Sequence, residues 1–186
     1  FSTPSIQGDA GSVLQNDGTG VLTWGVSPVR LVSTTTTAAM VFATTTTFGT
    51  YNNLYVVYNQ PSAAGNAYGL EMKFNSDSAA NYSHSGQSLF GSFSSNQTSA
   101  DGSLRLAAQN ATTSPTYSTI NIVNSATNVK VAQWRTASYT AASAPGIVNG
   151  MGIWNNTSAA ITNIVFKGDS ASGIPVGTII EVYGYN

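Results

Sequence analysis

The chain has 186 residues, enough for one domain or for one domain with an arm. Only 7% of its residues are charged, where roughly 25% is usual, and six basic residues cannot form the patch that nucleic acid or an anionic membrane surface would require. The absence of cysteine excludes disulfides, zinc–thiolate sites and thiol nucleophiles, and no apolar run is long enough for insertion across a membrane.

Residues 1–28 are predicted to form an extended, glycine-rich arm. Glycines punctuate two short apolar pairs, Val13–Leu14 and Val21–Leu22, and Asn16-Asp17-Gly18 is a turn signal between them. We therefore expect a small hairpin in the arm. Such a segment has too little apolar surface for a core of its own, so it needs the main domain or other chains as a partner.

Residues 29–186 are predicted to form one β-sandwich. No window carries a sustained apolar stripe at helical spacing, and Gly, Thr, Ser and Asn, which are weak in helix interiors, are dense throughout. Short strand signals separated by turn signals indicate a sandwich or barrel. The predicted strands are Val29–Val32, Ala39–Ala43, Leu54–Tyr58, Tyr68–Phe74, Leu89–Phe93, Leu104–Ala108, Ser118–Val123, Val129–Trp134, Ile147–Trp154, Ile161–Lys167 and Thr178–Tyr183.

Two threonine tetrads, Thr34–Thr37 and Thr44–Thr47, flank the strand Ala39–Ala43. Because β-branched threonine favours strands, we interpret the tetrads as exposed strand ends. A threonine ladder repeated around a symmetric assembly is the alternative.

The segment Tyr68–Tyr82 combines a strand with a turn. Tyr68, Leu70, Met72 and Phe74 alternate with small or charged residues, which is typical of a half-buried strand. The run Asn75-Ser-Asp-Ser that follows is rich in turn formers, and Asp77 is expected to close that turn.

The acidic residues show no pair whose spacing marks a catalytic site. Asp9, Asp17, Asp77, Asp101 and Asp169 lie beside Gly or Ser, where Asp usually closes turns. Glu71 and Glu181 fall within strands, and Glu71 can pair with Lys73 or with a cation on a neighbouring strand.

A calcium loop formed by Asn75, Asp77 and Asn81 is the alternative for the turn after Phe74, but one carboxylate is little for a hard dication. His84 is the single histidine and lies in the polar stretch Tyr82-Ser-His-Ser-Gly86. We expect it in an exposed loop rather than in a Ser-His-Asp site, because no Gly-x-Ser-x-Gly elbow accompanies it. We expect no catalytic, cofactor or metal site.

Aromatic side chains are the candidates for stacking on a glycan. Filling the core or a subunit interface is the alternative for most of them, and the one that we favour. The candidates are Trp24, Trp134, Trp154, Tyr51, Tyr82, Tyr117 and Tyr139.

Three segments in fixed order carry a family resemblance. They are Tyr51-Asn-Asn-Leu-Tyr-Val-Val, the alternating strand that ends in Phe74-Asn-Ser-Asp-Ser-Ala-Ala-Asn-Tyr82, and Ile161-Thr-Asn-Ile-Val-Phe followed by Gly177-Thr-Ile-Ile-Glu-Val-Tyr-Gly184. With them, the chain from about Phe48 onward resembles the β-rich heads of tailed-bacteriophage tail fibres, head fibres and capsid decorations. The arm, Gly11-Ser-Val-Leu-Gln-Asn-Asp-Gly-Thr-Gly before Trp24, resembles the glycine-rich collar that precedes such heads.

The resemblance implies an all-β protein, a jelly-roll-like antiparallel β-sandwich with an extended N-terminal arm. It also implies a homotrimer on the virion surface, without catalysis. The closing strand Thr178–Tyr183 is apolar or aromatic on both faces, which suits burial in the core on one side and against a neighbouring subunit on the other. We expect the arm to contact other virion proteins of the capsid or fibre.

The expected function is therefore structural: a non-enzymatic capsid decoration, or a short fibre head, on the extracellular phage particle. A net charge of −1 agrees with a subunit held in a larger assembly. A receptor-binding fibre head that recognises a host surface glycan is the first alternative. A monomeric carbohydrate-binding module with an exposed aromatic platform, and a hydrolase that depends on His84, are the others.

Overall fold

The protein is all-β. The computed structural model describes residues 12–16, 22–26, 28–36, 42–43, 48, 50–61, 70–90, 92–106, 115–139, 145–168 and 173–186. Within these ranges there is no helix that is long and apolar enough to cross a membrane. The strands are β1 Ser12–Asn16, β2 Leu22–Val26, β3 Val29–Thr35, β4 Phe42–Ala43, β5 Asn53–Gln60, β6 Leu70–Phe74, β7 Tyr82–Phe90, β8 Ser92–Asp101, β9 Leu104–Arg105, β10 Thr116–Val123, β11 Lys130–Tyr139, β12 Pro145–Trp154, β13 Ile164–Gly168 and β14 Ile179–Tyr185.

Two antiparallel sheets pack as a jelly-roll-like sandwich, which confirms the predicted fold class. The larger sheet has eight strands in the order β3-β14-β5-β10-β11-β12-β7-β8, and the smaller has four in the order β4-β13-β6-β9. Aromatic contacts join the sheets: the ring centroids of Tyr58 and Phe166 lie 5.6 Å apart, and those of Phe74 and Trp154 lie 5.7 Å apart. The core therefore lies between the two sheets.

The alternation of apolar residues explains which side of each strand faces the core. In β5, Leu54, Val56 and Tyr58 are fully buried, and in β6 Met72 and Phe74 are fully buried against them. The predicted apolar side of β6 is therefore confirmed from Leu70 onward, but the strand is not half-buried, because Glu71 on its other side is 9% exposed. Tyr68 lies outside the described residues.

Several buried hydroxyl and amide groups within this core are paired. The hydroxyls of Ser118 and Thr136 lie 2.7 Å apart, and the Thr136 hydroxyl also reaches the carbonyl of Leu106. The Asn124 amide donates to the carbonyls of Phe48 and Tyr51 at 3.0 and 2.9 Å. Paired polar groups cost little to bury, so a chain rich in hydroxyls and amides can still fill a core.

The predicted hairpin in the arm is present. Strands β1 and β2 pair in antiparallel fashion, with Asn16 opposite Leu22, and form a two-stranded sheet of their own. The turn residues between them lie outside the described part of the chain.

Strand β8 is the outermost described strand of the larger sheet and contains an irregularity. Its pairing with β7 shifts register between Tyr82 and His84. Ala100 at this point has a φ of 56°, in the left-handed region that residues with a side chain seldom adopt. An extra residue here bulges the strand and interrupts its ladder.

Two expectations about local structure are wrong. Leu89–Phe93 is not one strand, because β7 ends at Phe90 and β8 begins at Ser92, with the two paired across the reversal. Thr36 is not an exposed strand end: it is 3% exposed, its hydroxyl donates to the carbonyl of Pro175, and it accepts from the amide of Thr178. The second tetrad lies outside the described residues.

Candidate functional site

His84 lies in the core and not in the exposed loop that its polar neighbours predicted. It is 4% exposed in β7, and neither ring nitrogen has a hydrogen-bond partner within the described residues. Burial lowers its pKa; Asp101 and Glu71 oppose this change, and Arg105 adds to it. The ring is therefore neutral near pH 7, and no described serine bonds to it.

Glu71 pairs with a cation on a neighbouring strand and not with Lys73, the other predicted partner. Lys167, its register partner on β13, places its ammonium nitrogen 2.8 Å from a carboxylate oxygen of Glu71. The hydroxyl of Ser103 donates to the same oxygen at 3.0 Å. Both groups satisfy the carboxylate, so Glu71 joins β6 to its neighbours.

The turn after Phe74 is a structural corner held by Asp77. Asp77 Oδ1 accepts the backbone amide of Ala79 at 2.9 Å, and Oδ2 accepts Asn81 Nδ2 at 2.9 Å and Trp154 Nε1 at 2.7 Å. Burial raises the pKa of Asp77, but these hydrogen bonds and the charge of Lys73 outweigh it and lower the pKa overall. The prediction that Asp77 closes the turn is confirmed.

Two of the three residues proposed for calcium, Asn75 and Asp77, use their side-chain oxygens within the protein. Asn75 Oδ1 accepts the backbone amides of Thr162 and Asn163 at 2.7 and 3.1 Å, and both oxygens of Asp77 accept the donors given above. These oxygens already accept hydrogen bonds from N–H donors. Through the bonds of Asn75, the loop is joined to the segment that precedes β13. Among the described residues, no group of His, Asp and Glu has the geometry of a metal site.

Most of the aromatic candidates for stacking belong to the core. Trp154 and Tyr82 are almost fully buried with stacked rings, and Trp134 is 4% exposed. Tyr51 packs against the core, and Tyr117 is 48% exposed. The side chains of Trp24 and Tyr139 lie outside the described residues.

A shallow depression lies on the outer face of the larger sheet, the face turned away from the core. Its volume is about 340 Å³. The side chains around it are exposed and alternate with buried neighbours, so they project outward. The lining residues are Ser85, Gly86, Gln87, Gln133, Trp134, Asn149, Gly150 and Met151.

Two glycines form the floor of this depression. Gly86 and Gly150 are register partners on β7 and β12, and Gly150 is also opposite Trp134 on β11. A Cβ on Gly150 would lie 2.3 Å from Cζ2 of Trp134, because the indole ring occupies the core side of this position. The space above the glycines is therefore open on the outside and closed from below by the indole.

The depression continues into one row of side chains across the sheet. We call this row, Ser85, Met151, Gln133, Asn121, Tyr55 and Tyr183, the amide track; each member is the register partner of the next. At its far end the rings of Tyr55 and Tyr183 lie 6.3 Å apart at 42°. Burial raises the pKa of Tyr55, as do nearby Tyr117 and Tyr183, so its hydroxyl stays protonated at neutral pH.

A second row on the same face is apolar. Tyr117, Ala137, Ile147 and Leu89 are register partners on four neighbouring strands, and we call them the apolar row. Tyr117 is 48% and Leu89 53% exposed, while Ile147 is half-buried. The row forms an exposed apolar strip across four neighbouring strands.

Sequence reasoning missed both rows. Their members come from separate strands and become neighbours only through the register of the sheet. Tyr117 is one of the stacking candidates named from the sequence, but Tyr55, Gln133 and Asn121 are not. The exposed amides Asn121 and Gln133 alternate with apolar residues in their strands, but this pattern does not show which strands are adjacent.

The chain matches no protein-family profile and no curated protein. Two solved structures overlap with it weakly. The catalytic domain of PdAgaC aligns with 95% of this chain and 73% of its own, at 9% identity and a TM-score of 0.21. A structure of infectious bursal disease virus, Gt strain, aligns with 98% of this chain and 46% of its own, at 9% identity and a TM-score of 0.12. Overlaps this weak support no argument about fold or function.

Proposed function

We propose that the protein is a non-enzymatic structural subunit of a bacteriophage virion, displayed on the particle surface and assembled as a homotrimer. The observation that carries this proposal is the apolar row on the outer face of the larger sheet. The order of the three segments that resemble phage fibre heads and decorations supplies the virion setting.

The apolar row favours contact with another copy of the chain. Fully burying a side chain such as leucine contributes roughly 1.5–3 kcal/mol, and Leu89 and Tyr117 are about half exposed, so each retains part of that free energy. None of the four side chains is charged, so copies can approach without like-charge repulsion. A cyclic trimer repeats one contact three times and so gains from a modest surface.

Light scattering coupled to size-exclusion chromatography tests the assembly. We expect the wild-type protein to elute with the mass of a trimer, and Leu89→Lys and Tyr117→Lys to shift it towards the monomer. Val176→Lys is the matched control, because Val176 is 55% exposed but lies outside the strands of the larger sheet. All three changes replace exposed side chains, so the melting temperature of the dissociated subunit should stay unchanged.

Particle binding tests the structural role. Purified protein is added to phage particles that lack it, and their resistance to heat and osmotic shock is compared with and without the addition. We expect sedimentation with the particles and greater resistance. A stable monomer that binds no particle component would contradict the proposal.

A further inference from the structure

We propose that the outer face of the larger sheet binds a neutral oligosaccharide along the amide track, with one sugar unit seated in the depression over Gly86 and Gly150. The inference goes beyond the proposed function and does not depend on self-association.

The chemistry around the depression matches sugar hydroxyls. Gln87, Gln133 and Asn149 each present a carboxamide, with one acceptor oxygen and two donor hydrogens, and Ser85 adds a hydroxyl. A sugar hydroxyl is likewise both donor and acceptor. Met151, 49% exposed, offers a polarisable apolar surface for the C–H groups of a sugar ring.

The backbone between the outward side chains allows the ligand to approach closely. Gly86 and Gly150 occupy inward-facing positions in the same row as Trp134, so the outer surface at these positions lies at the level of the backbone. The indole of Trp134 prevents a side chain at Gly150 and supports the strand from below. A volume of about 340 Å³ is at the small end of ligand pockets, which suits one sugar unit of a longer chain.

The rest of the track suits an extended chain. Ser85 and Tyr183 lie on strands five positions apart, which at about 4.8 Å per strand gives a path of about 24 Å. Asn121 continues the row of carboxamides, and the tilted rings of Tyr55 and Tyr183 end it. Tyrosine offers both a ring face and a hydroxyl, and the hydroxyl of Tyr183 is held 3.2 Å from Glu181 Oε2.

Charge favours a neutral ligand. No member of the track and no residue lining the depression is Asp, Glu, Lys, Arg or His. Of the charged residues in the adjoining row, Glu181 pairs with Arg30 at 3.5 Å, and Arg135 stands opposite Asn149 in register. A single arginine beside the depression is a weak site for a polyanion.

The sugar site and the apolar row use different side chains of the same face. On β10, Asn121 of the track is four positions from Tyr117 of the apolar row, about 14 Å at the rise of a strand. The two come closer at the depression, where Gln87 and Asn149 are two positions from Leu89 and Ile147. Because no side chain belongs to both, substitutions in one can be compared with substitutions in the other.

Methyl NMR of the full chain, labelled at methionine, tests the proposal. The probes are neutral linear hexasaccharides of glucose, mannose and galactose in α and β linkages, with oligomers of hyaluronan and polysialic acid as charged counterparts. We expect one or more neutral probes to shift the Met151 signal. The signal of Met72, which is fully buried, is the internal reference and should stay in place.

Variants then locate the site by calorimetry. We expect Gln133→Ala and Asn149→Ala to weaken binding about tenfold each, the loss of one hydrogen bond to the ligand. Asn59→Ala is the matched control, because Asn59 is an exposed amide in line with the apolar row, and it should change nothing. Leu89→Lys should leave sugar binding intact even where it dissociates the trimer, so the two proposals fail separately.

Three results would overturn the inference. One is that no probe binds at about 10 mM, which would detect millimolar affinity. Another is binding that moves no Met151 signal and is unaffected by Gln133→Ala and Asn149→Ala. The third is a preference for the charged probes that disappears in Arg135→Gln, which would make the ligand acidic.

Discussion

The single histidine illustrates how a polar side chain is tolerated in this core. His84 is buried in β7, and its ring nitrogens have no partner among the described residues. An unpartnered neutral imidazole costs less to bury than an imidazolium, so burial lowers the pKa of His84. The consequence is a stability that depends on pH.

We predict that stability falls as the pH drops below 6.5. The folded-state pKa of His84 lies below its ordinary value of 6.5, so the unfolded chain binds more protons in the interval between the two. Stability is therefore lost from about pH 6.5 down to the folded-state pKa, and the loss is complete below it. Chemical denaturation at several pH values measures this slope.

His84→Phe is the informative variant. It removes the titrating group while keeping a planar ring, so it should be close to wild type at pH 7 and lose the slope that begins near pH 6.5. The carboxylate of Asp77, whose pKa is lowered, contributes its own loss at more acidic pH in both proteins. Identical pH profiles for the two proteins would contradict the assignment.

At the residue scale, local chemistry was readable from the sequence and burial was not. The role of Asp77 followed from its turn-forming neighbours, all within a few residues. His84 is covered by residues distant in the sequence: Gly152 of β12 lies opposite it in register, and a Cβ there would meet the Leu104 side chain at 2.5 Å and the Cβ of His84 at 3.0 Å. Its own neighbours are serines, which indicate exposure.

At the scale of elements, the corner after β6 depends on one carboxylate. Asp77 joins the turn to Asn81 and to Trp154 at the end of β12. We predict that Asp77→Ala lowers the free energy of unfolding by about 3 kcal/mol, because it removes charge-assisted hydrogen bonds and leaves the indole N–H without its acceptor. Ser78→Ala, an exposed neighbour, is the control and should change it by less than about 0.5 kcal/mol in urea denaturation. Equal effects of the two would show that the corner does not depend on the carboxylate.

The pairing of Gly150 with Trp134 gives a second test of element packing. An added methyl on Gly150 would overlap the indole, so Gly150→Ala should destabilise the protein by about 1–3 kcal/mol. In Gly150→Ala with Trp134→Leu the overlap disappears, so the double variant should be more stable than the sum of the single effects predicts. Strict additivity in thermal denaturation would show that the ring moves away without cost.

Elements with apolar alternation were predicted, and elements with polar faces were not. β5, β10 and β14 each carry at least two of Val, Ile, Leu or Tyr at successive alternate positions, and the predicted spans fall within them except for Thr178, which precedes β14. β7 and β8 consist largely of Ser, Gln, Asn, Thr and Gly. Part of the inner face of β7 is glycine or histidine, and large side chains such as Trp134 reach it from other strands. The sequence of β7 therefore shows no alternation of apolar and polar residues.

At the scale of the whole molecule, the low charge governs how subunits meet. Six basic and seven acidic residues leave few ion pairs for an interface, so association must depend on apolar contact and neutral hydrogen bonds. The fold class was predictable from short strands and the absence of helical periodicity. The composition of the outer face was not, because it depends on the register between strands.

We predict that the mass of the assembly does not decrease between about 0.1 and about 1 M salt, which shortens the Debye length from about 10 to about 3 Å. Excluded salts strengthen apolar association, so sulfate should stabilise the trimer. Light scattering over this range measures it. Dissociation in high salt would mean that ion pairs, and not the apolar row, hold the subunits together.

The bulge at Ala100 bears on whether copies of the protein pair edge to edge into fibres. An outermost strand offers unpaired amides and carbonyls to any passing strand, and a flat, apolar edge is the usual start of a fibre. β8 is polar except for Phe93 and Ala100, and its ladder is broken by a left-handed residue. A protein this low in charge has little repulsion to keep copies apart. We expect the irregular β8 edge to prevent strand pairing between copies. Association would then proceed through the face of the sheet and stop at the trimer.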